Sequence, residues 1–127
     1  MTPMPHTIGK DIPVTKALDL MRDHRIRHIP VQEAGKLVGV LTDRDIKLAG
    51  GFVSMEQLKV EDVMTPDPYT VNPRAPLDRV VGEMAEHKYG CAIVVQDNGK
   101  VVGLFTSVDG LRAFGEVLRE NYRAGDQ

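Results

Sequence analysis

Two rhythms of apolar residues alternate along this chain, and the whole succession runs through twice. Val14, Ala17, Leu18 and Met21 keep the i, i+3, i+4, i+7 spacing of one buried helical stripe, and Leu77, Val80, Val81 and Met84 repeat it. Pro13 and Pro76 stand near the starts of these stripes, where proline is tolerated. Each stripe leads into two β-like runs joined by a tight turn: "HIPV" to "LVGVL", then "AIVV" to "VVGLF". The second turn holds Asn98-Gly99, the strongest short hairpin signal. A short extended segment precedes each helix, "HTI" and "YTV". A further helix begins near Asp45 and near Asp109, and the last one shows Leu111, Phe114 and Leu118 on one face. The pattern predicts β-α-β-β-α in each half and an α/β fold.

The letters repeat along with the rhythm. "MTPMPHTI" opens the chain and "MTPDPYTV" begins at Met64. Met1, Thr2, Pro3, Pro5, Thr7, Pro13, Met21 and His24 find Met64, Thr65, Pro66, Pro68, Thr70, Pro76, Met84 and His87 at an offset of 63. One extra residue near Gly90 moves the offset to 64, and "IPVQEAGKLVGVLTDRD" then lies on "IVVQDNGKVVGLFTSVD". Two copies are too few for a solenoid. They predict two similar halves packed about a pseudo-twofold axis: residues 1–50, a connector over 51–63, residues 64–118, and a helix end and tail over 119–127. The connector holds Met55, Leu58, Val60 and Val63, which suit packing better than a floppy linker.

Charge and composition narrow the function. A net charge of -2 with 5% aromatics leaves neither a basic stripe nor many stacking platforms, so nucleic acid is not the expected partner. The longest apolar runs are too short to span a bilayer, and no signal-peptide pattern is visible. Cys91 stands alone, which excludes an internal disulfide framework and suits a reducing compartment. A cytoplasmic protein without membrane contact is expected. No Walker lysine motif, G-x-G-x-x-G, H-E-x-x-H or G-x-S-x-G occurs, and Cys91 sits inside the apolar run "CAIVV". No catalytic residue is therefore assigned and an enzyme is not expected. His24 with His28, and His87 with Cys91, stand four apart and would suit zinc if symmetry joined them. Pro30 and Gly90 break the helical spacing there, and histidines near helix C-termini are more often dipole partners, so no metal is expected.

The segments "VEDVMTPDPYTV", "RHIPV", "GKLVGVLTDRD" and "GKVVGLFTSVD", in register with one another, resemble a pair of cystathionine-β-synthase-type (CBS) domains, the Bateman module. The resemblance covers about residues 1–118. It implies two β-α-β-β-α halves with their sheets face to face, and two modules associating as a disk-like homodimer. It also implies a regulatory, energy-sensing role with an adenosine ligand: AMP, ADP or ATP foremost, then S-adenosylmethionine or NAD. No cofactor is required.

The repeated Thr-x-x-Asp falls where a strand becomes a helix, at Thr42/Asp45 and Thr106/Asp109. Free backbone N–H groups and the positive helix end there suit an anion such as phosphate. The resemblance gives the aspartate to a ribose and the threonine to phosphate. It puts the adenine between strand edges, here Thr7-Ile8 with His28-Ile29-Pro30, and Thr70-Val71 with Ala92-Ile93-Val94. Capping of the helix N-termini is the plainer reading of the same residues. Arg44 has only Val108 as its counterpart, and Arg25, Arg27 and His28 add positive potential, so the first pocket is expected to prefer more phosphate. The rival reading is a dimerisation or docking module with vestigial pockets. A protein target fits either reading; Met4, Met21, Met55, Met64 and Met84 would give adaptable apolar surface where exposed, though the core is the expected place for most of them.

Overall fold

The structure, a computed structural model, describes residues 1–3 and 5–125, so Met4 and the last two residues of the tail lie outside it. In chain order the elements are β1 (Thr2–Pro3), β2 (Ile8–Gly9), α1 (Val14–His24), β3 (His28–Glu33), β4 (Lys36–Thr42), α2 (Asp43–Gly50), a 3-10 turn (Met55–Gln57), α3 (Val60–Val63), β5 (Thr65–Pro66), β6 (Thr70–Val71), α4 (Leu77–His87), β7 (Cys91–Val95), β8 (Val101–Thr106) and α5 (Ser107–Gly125). They form the two β-α-β-β-α halves that the pattern predicts.

Local chemistry sets these boundaries in matched pairs. Pro13 and Pro76 hold φ at -60° and -61° just ahead of α1 and α4. Both helices end on a left-handed residue that is not glycine, Arg25 at φ 53° and Lys88 at φ 59°. This turns the chain back toward the sheet. The crossovers leave β2 parallel to β3 (Ile8 opposite Val31) and β6 parallel to β7 (Thr70 opposite Ile93). The hairpins β3–β4 and β7–β8 are antiparallel. Their turns differ. Ala34 and Gly35 both take positive φ, whereas only Gly99 does in the second, with its N–H donating to the Gln96 carbonyl at 2.9 Å.

The opening phrase forms strands that the halves exchange. The sheets run β2-β3-β4-β5 and β1-β8-β7-β6. Thus β1, at the start of the first copy, pairs with β8 of the second (Thr2 opposite Leu104). β5, at the start of the second copy, pairs with β4 of the first (Val40 opposite Thr65). The repeated methionine has a partner in each case. A Cβ added at Gly103 would stand 2.6 Å from Met1 Sδ, and one at Gly39 would stand 2.6 Å from Met64 Sδ. The glycine of "LVGVL" and of "VVGLF" leaves room for the methionine of the opposite copy.

Three apolar clusters follow. One fills the first half, with Val14, Ala17, Ile29, Val31, Leu41 and Ile46, and takes in Val60 of the connector at 0% exposure. Met55, Leu58 and Val63 pack against it, so the connector is part of the core. A second joins the sheets through Val40, Cys91, Ile93, Val101 and Leu104. The third is smaller, with Val80, Met84, Ala92 and Phe105. The α4 stripe is only half covered: Val80 and Met84 are buried, while Leu77 and Val81 are exposed. Leu111 and Phe114 of α5 also face outward, so its stripe is a surface rather than a core face. Among the described residues no helix is long and apolar enough to cross a membrane.

Candidate functional site

The two Thr-x-x-Asp motifs sit at the β4–α2 and β8–α5 junctions, and their hydrogen bonds differ. At the first, Thr42 is the N-cap of α2, and its Oγ1 accepts from the Asp45 N–H at 3.1 Å. Asp45 Oδ2 is buried and has no hydrogen-bond partner among the described residues. At the second the box is closed. Asp109 Oδ2 accepts from the Thr106 N–H at 2.9 Å and from Thr106 Oγ1 at 3.3 Å, and the Asp109 N–H donates back to Thr106 Oγ1 at 3.4 Å. Arg112 Nη1 stands 3.7 Å from Asp109 Oδ1. Capping thus accounts for Asp109 Oδ2, with Arg112 near Oδ1, but leaves Asp45 Oδ2 unexplained. A buried polar atom without a partner costs about 1–3 kcal/mol and calls for an explanation.

Each motif borders a cleft whose far wall comes from the other half. Thr42 and Asp45, with His28 and Val40, line a cleft of about 270 Å³ closed by Asp67, Pro68, Tyr69 and residues 88–91. Thr106 and Asp109, with Leu104, line one of about 390 Å³ closed by Arg25, Ile26, Arg27 and His28. This corrects the placement of the basic group: Arg25 and Arg27 border the cleft of the second motif. The strand exchange is the reason, since β5 carries the second copy's opening segment alongside β4. Arg44 is exposed on α2 and lines neither cleft.

The other expected edges are dispersed. His28 is the only one of them in either cleft, and it lines both. Ile29, Pro30, Ala92 and Ile93 are buried in the cores, and Thr7 is exposed. Ile8 packs against the first cluster. Thr70 lines a shallow hollow beside Leu37 and Val95. Val71 and Val94 line a separate cavity that Asp109 also reaches. His24 and His87 part company as well, His24 stacking on His6 and His87 on Tyr89. Among the described residues no group of three or more His, Cys, Asp or Glu is placed to hold a metal ion.

Sequence reasoning missed the aromatic wall of the first cleft. Tyr69 and Tyr89 stack with ring centroids 4.9 Å apart, and His87 extends the stack behind Tyr89. The Tyr69 hydroxyl donates to Glu83. Burial, and then Glu83, push its pKa up to about 12 and hold it as a neutral phenol. The repeat itself held a signal, because Tyr69 stands where the first copy has another ring, His6. Burial also pushes the Cys91 thiol up to about 11, so it stays protonated at neutral pH. Burial lowers the His28 pKa, with Arg27 adding to the effect and Asp43 and Asp45 opposing it. The first cleft thus brings together the Asp45 carboxylate, a helix N-terminus and an aromatic wall, groups that can accept a hydroxyl, receive an anion and stack a planar ring.

Comparison with known proteins agrees with the fold and the repeat. The CBS domain family matches residues 1–50 and 60–116. The chain belongs to the CBS domain family. It is similar to the L-aspartate semialdehyde sulfurtransferase of Methanocaldococcus jannaschii, 35% identical over 112 residues. That match takes in 87% of this chain and 21% of the enzyme, so the chain spans about a fifth of the length of the curated relatives it matches first. Among solved structures it is similar to the CBS domain pair of protein MJ0100, in complex with 5′-methylthioadenosine and S-adenosyl-L-methionine. The TM-score is 0.83 and the identity 32%, covering 91% of this chain and 92% of that one. CBSX2 from Arabidopsis thaliana, solved in complex with AMP, gives a TM-score of 0.77 at 28% identity, covering 92% and 93%.

Proposed function

We propose that this CBS pair is a regulatory module that binds an adenosine ligand, with AMP, ADP or ATP foremost, in the clefts between its halves. Asp45 Oδ2 carries the reading. It is the one buried side-chain oxygen left without a partner among the described residues, and a small turn of the side chain toward the cleft would let a ribose hydroxyl donate to it. Tyr69, at the end of the aromatic stack, offers a ring for the base, and the Thr42 end of α2 suits phosphate. The adenosine ligands held by the MJ0100 pair and by CBSX2 support the same class of ligand. The second cleft binds more weakly at the ribose, because Asp109 already commits Oδ2 to the helix cap and holds Oδ1 near Arg112. Arg25 and Arg27 give it the stronger preference for phosphate.

Ligand that favours one arrangement of the halves shifts the population toward it. The readout is a change in homodimer geometry or in a protein target's docking surface. The exposed Leu111 and Phe114 face of α5 supports self-association. The closed box at Asp109 favours a second reading for that cleft alone, a vestigial pocket retained as a helix cap.

Calorimetric titration with AMP, ADP, ATP, S-adenosylmethionine and NAD tests the proposal. Micromolar binding of one of them is expected, worth about 8 kcal/mol. Asp45→Ala should weaken it about ten- to a hundred-fold. An absence of heat at millimolar ligand would leave a ligand-independent dimerisation or docking module.

A further inference from the structure

The second half holds a cavity whose counterpart in the first half is filled. It measures about 360 Å³, and its lining includes Met1, Val71, Ala75, Leu77, Val80 and Phe105. Shifted by the repeat, these are Met64, Ile8, Ile12, Val14, Ala17 and Leu41, which all gather with Val60 in one cluster. There the connector supplies the filling. The Val60 N–H donates to the Ile12 carbonyl at 2.9 Å, the Val14 N–H to Leu58 at 3.0 Å, and the Glu61 N–H to Lys10 at 2.8 Å. Lys10 Nζ stands 3.7 Å from the Glu61 carboxylate. No described residue performs this service in the second half. Leu77 is 49% exposed, while Val14, at the same place in the repeat, is 0% exposed.

We propose that this cavity docks a short segment of a partner protein with the spacing Leu-x-Val-Glu-x-Val, which residues 58–63 present to the first half. The molecule supplies its own template for the occupant: two apolar side chains over the start of the helix, an acid after them, and backbone groups exchanged with the strand-to-helix loop. The lining carries both signs, with Arg112 beside Asp109 and Glu116, and a base stands next to the position that answers to Lys10. Arg74 lies beside Pro73, the counterpart of Lys10, and is exposed with no ion pair among the described residues. Asp109 lines both this cavity and the second cleft, so a docked segment lies against the carboxylate that serves that cleft.

The test is fluorescence anisotropy of a labelled peptide of sequence QLKVEDVM added to the full chain without nucleotide, so it stands apart from the ligand reading. Saturable binding is expected, at least tenfold weaker for the peptide carrying Val60→Asp. It should be lost on the chain variant Ala113→Phe, which places a ring in the cavity; Ala75→Leu is the milder second variant, and circular dichroism checks both folds. No saturation at about millimolar peptide, or equal binding to the filled variants, overturns the proposal. A dimer by sedimentation that Ala113→Phe dissociates also overturns it, by giving the cavity to a second copy of this chain.

Discussion

Asp45 and Asp109 occupy the same place in the repeat and have different uses. Asp109 closes a capping box with Thr106 and leans on Arg112. Asp45 holds a buried oxygen that nothing described satisfies. The surrounding halves differ in the opposite sense. The first is packed through, its connector folded into the core, while the second leaves half of its α4 stripe uncovered. The well-packed half thus carries the unsatisfied carboxylate, which is the arrangement expected where stability elsewhere offsets an unpaired functional group. A shared motif reports a shared backbone turn; whether it binds or caps is decided by one or two hydrogen bonds.

The largest effect that can break this comparison lies in the helices. Val14→Asp puts an unpaired carboxylate at a fully buried site and should cost about 4 kcal/mol or more, unfolding much of the chain. Leu77→Asp, at the matching place, should stay within about 0.5 kcal/mol. Chemical denaturation of the two variants compares them directly, and similar losses would mean that the halves are equally covered.

The carboxylates come next. Without ligand, Asp109→Ala removes the box and should lower stability by about 1 kcal/mol. Asp45→Ala removes an unsatisfied buried oxygen and should leave stability unchanged or raised. Thermal melts that reverse this order would make Asp45 the cap and Asp109 the free group.

His28, which lines both clefts, ties stability to pH. Its folded pKa lies below the ordinary 6.5, so between the two values the unfolded chain binds more protons. Its contribution is complete above about pH 6.5 and is lost as pH falls through the folded value. His28→Gln should flatten the acid limb of a pH–stability profile, and an unaltered limb would assign it to the carboxylates.

The smallest effect is in the turns. Ala34 holds φ 50° without the tolerance of glycine or asparagine, whereas the second hairpin needs positive φ only at Gly99. Ala34→Asn should raise stability by about 0.5–1 kcal/mol in a denaturant titration.

Much of this was legible in the chain. The i, i+3, i+4, i+7 stripes gave both helices, the repeat gave two halves, and the shared "T-x-x-D" located both strand-to-helix junctions. The strand exchange was not legible, because two-residue strands such as Thr2–Pro3 have too little length for any periodicity. Missing it put Arg25 and Arg27 beside the wrong motif and hid Tyr69 and Tyr89, which reach the first cleft from the other half. The spacing of Leu77 and Val81 was right for a buried stripe, yet burial depends on a neighbour. Among the described residues the connector supplies one to the first half alone.

The most direct test of the account is a double-mutant cycle between Asp45 and the ribose. AMP and 2′-deoxy-AMP are titrated calorimetrically into the wild type and Asp45→Ala, with Asp109→Ala as the matched control. The account predicts that losing the 2′-hydroxyl weakens wild-type and Asp109→Ala binding about tenfold, near 1.4 kcal/mol, and leaves Asp45→Ala indifferent. An equal loss in the wild type and Asp45→Ala, or indifference appearing in Asp109→Ala instead, would contradict it.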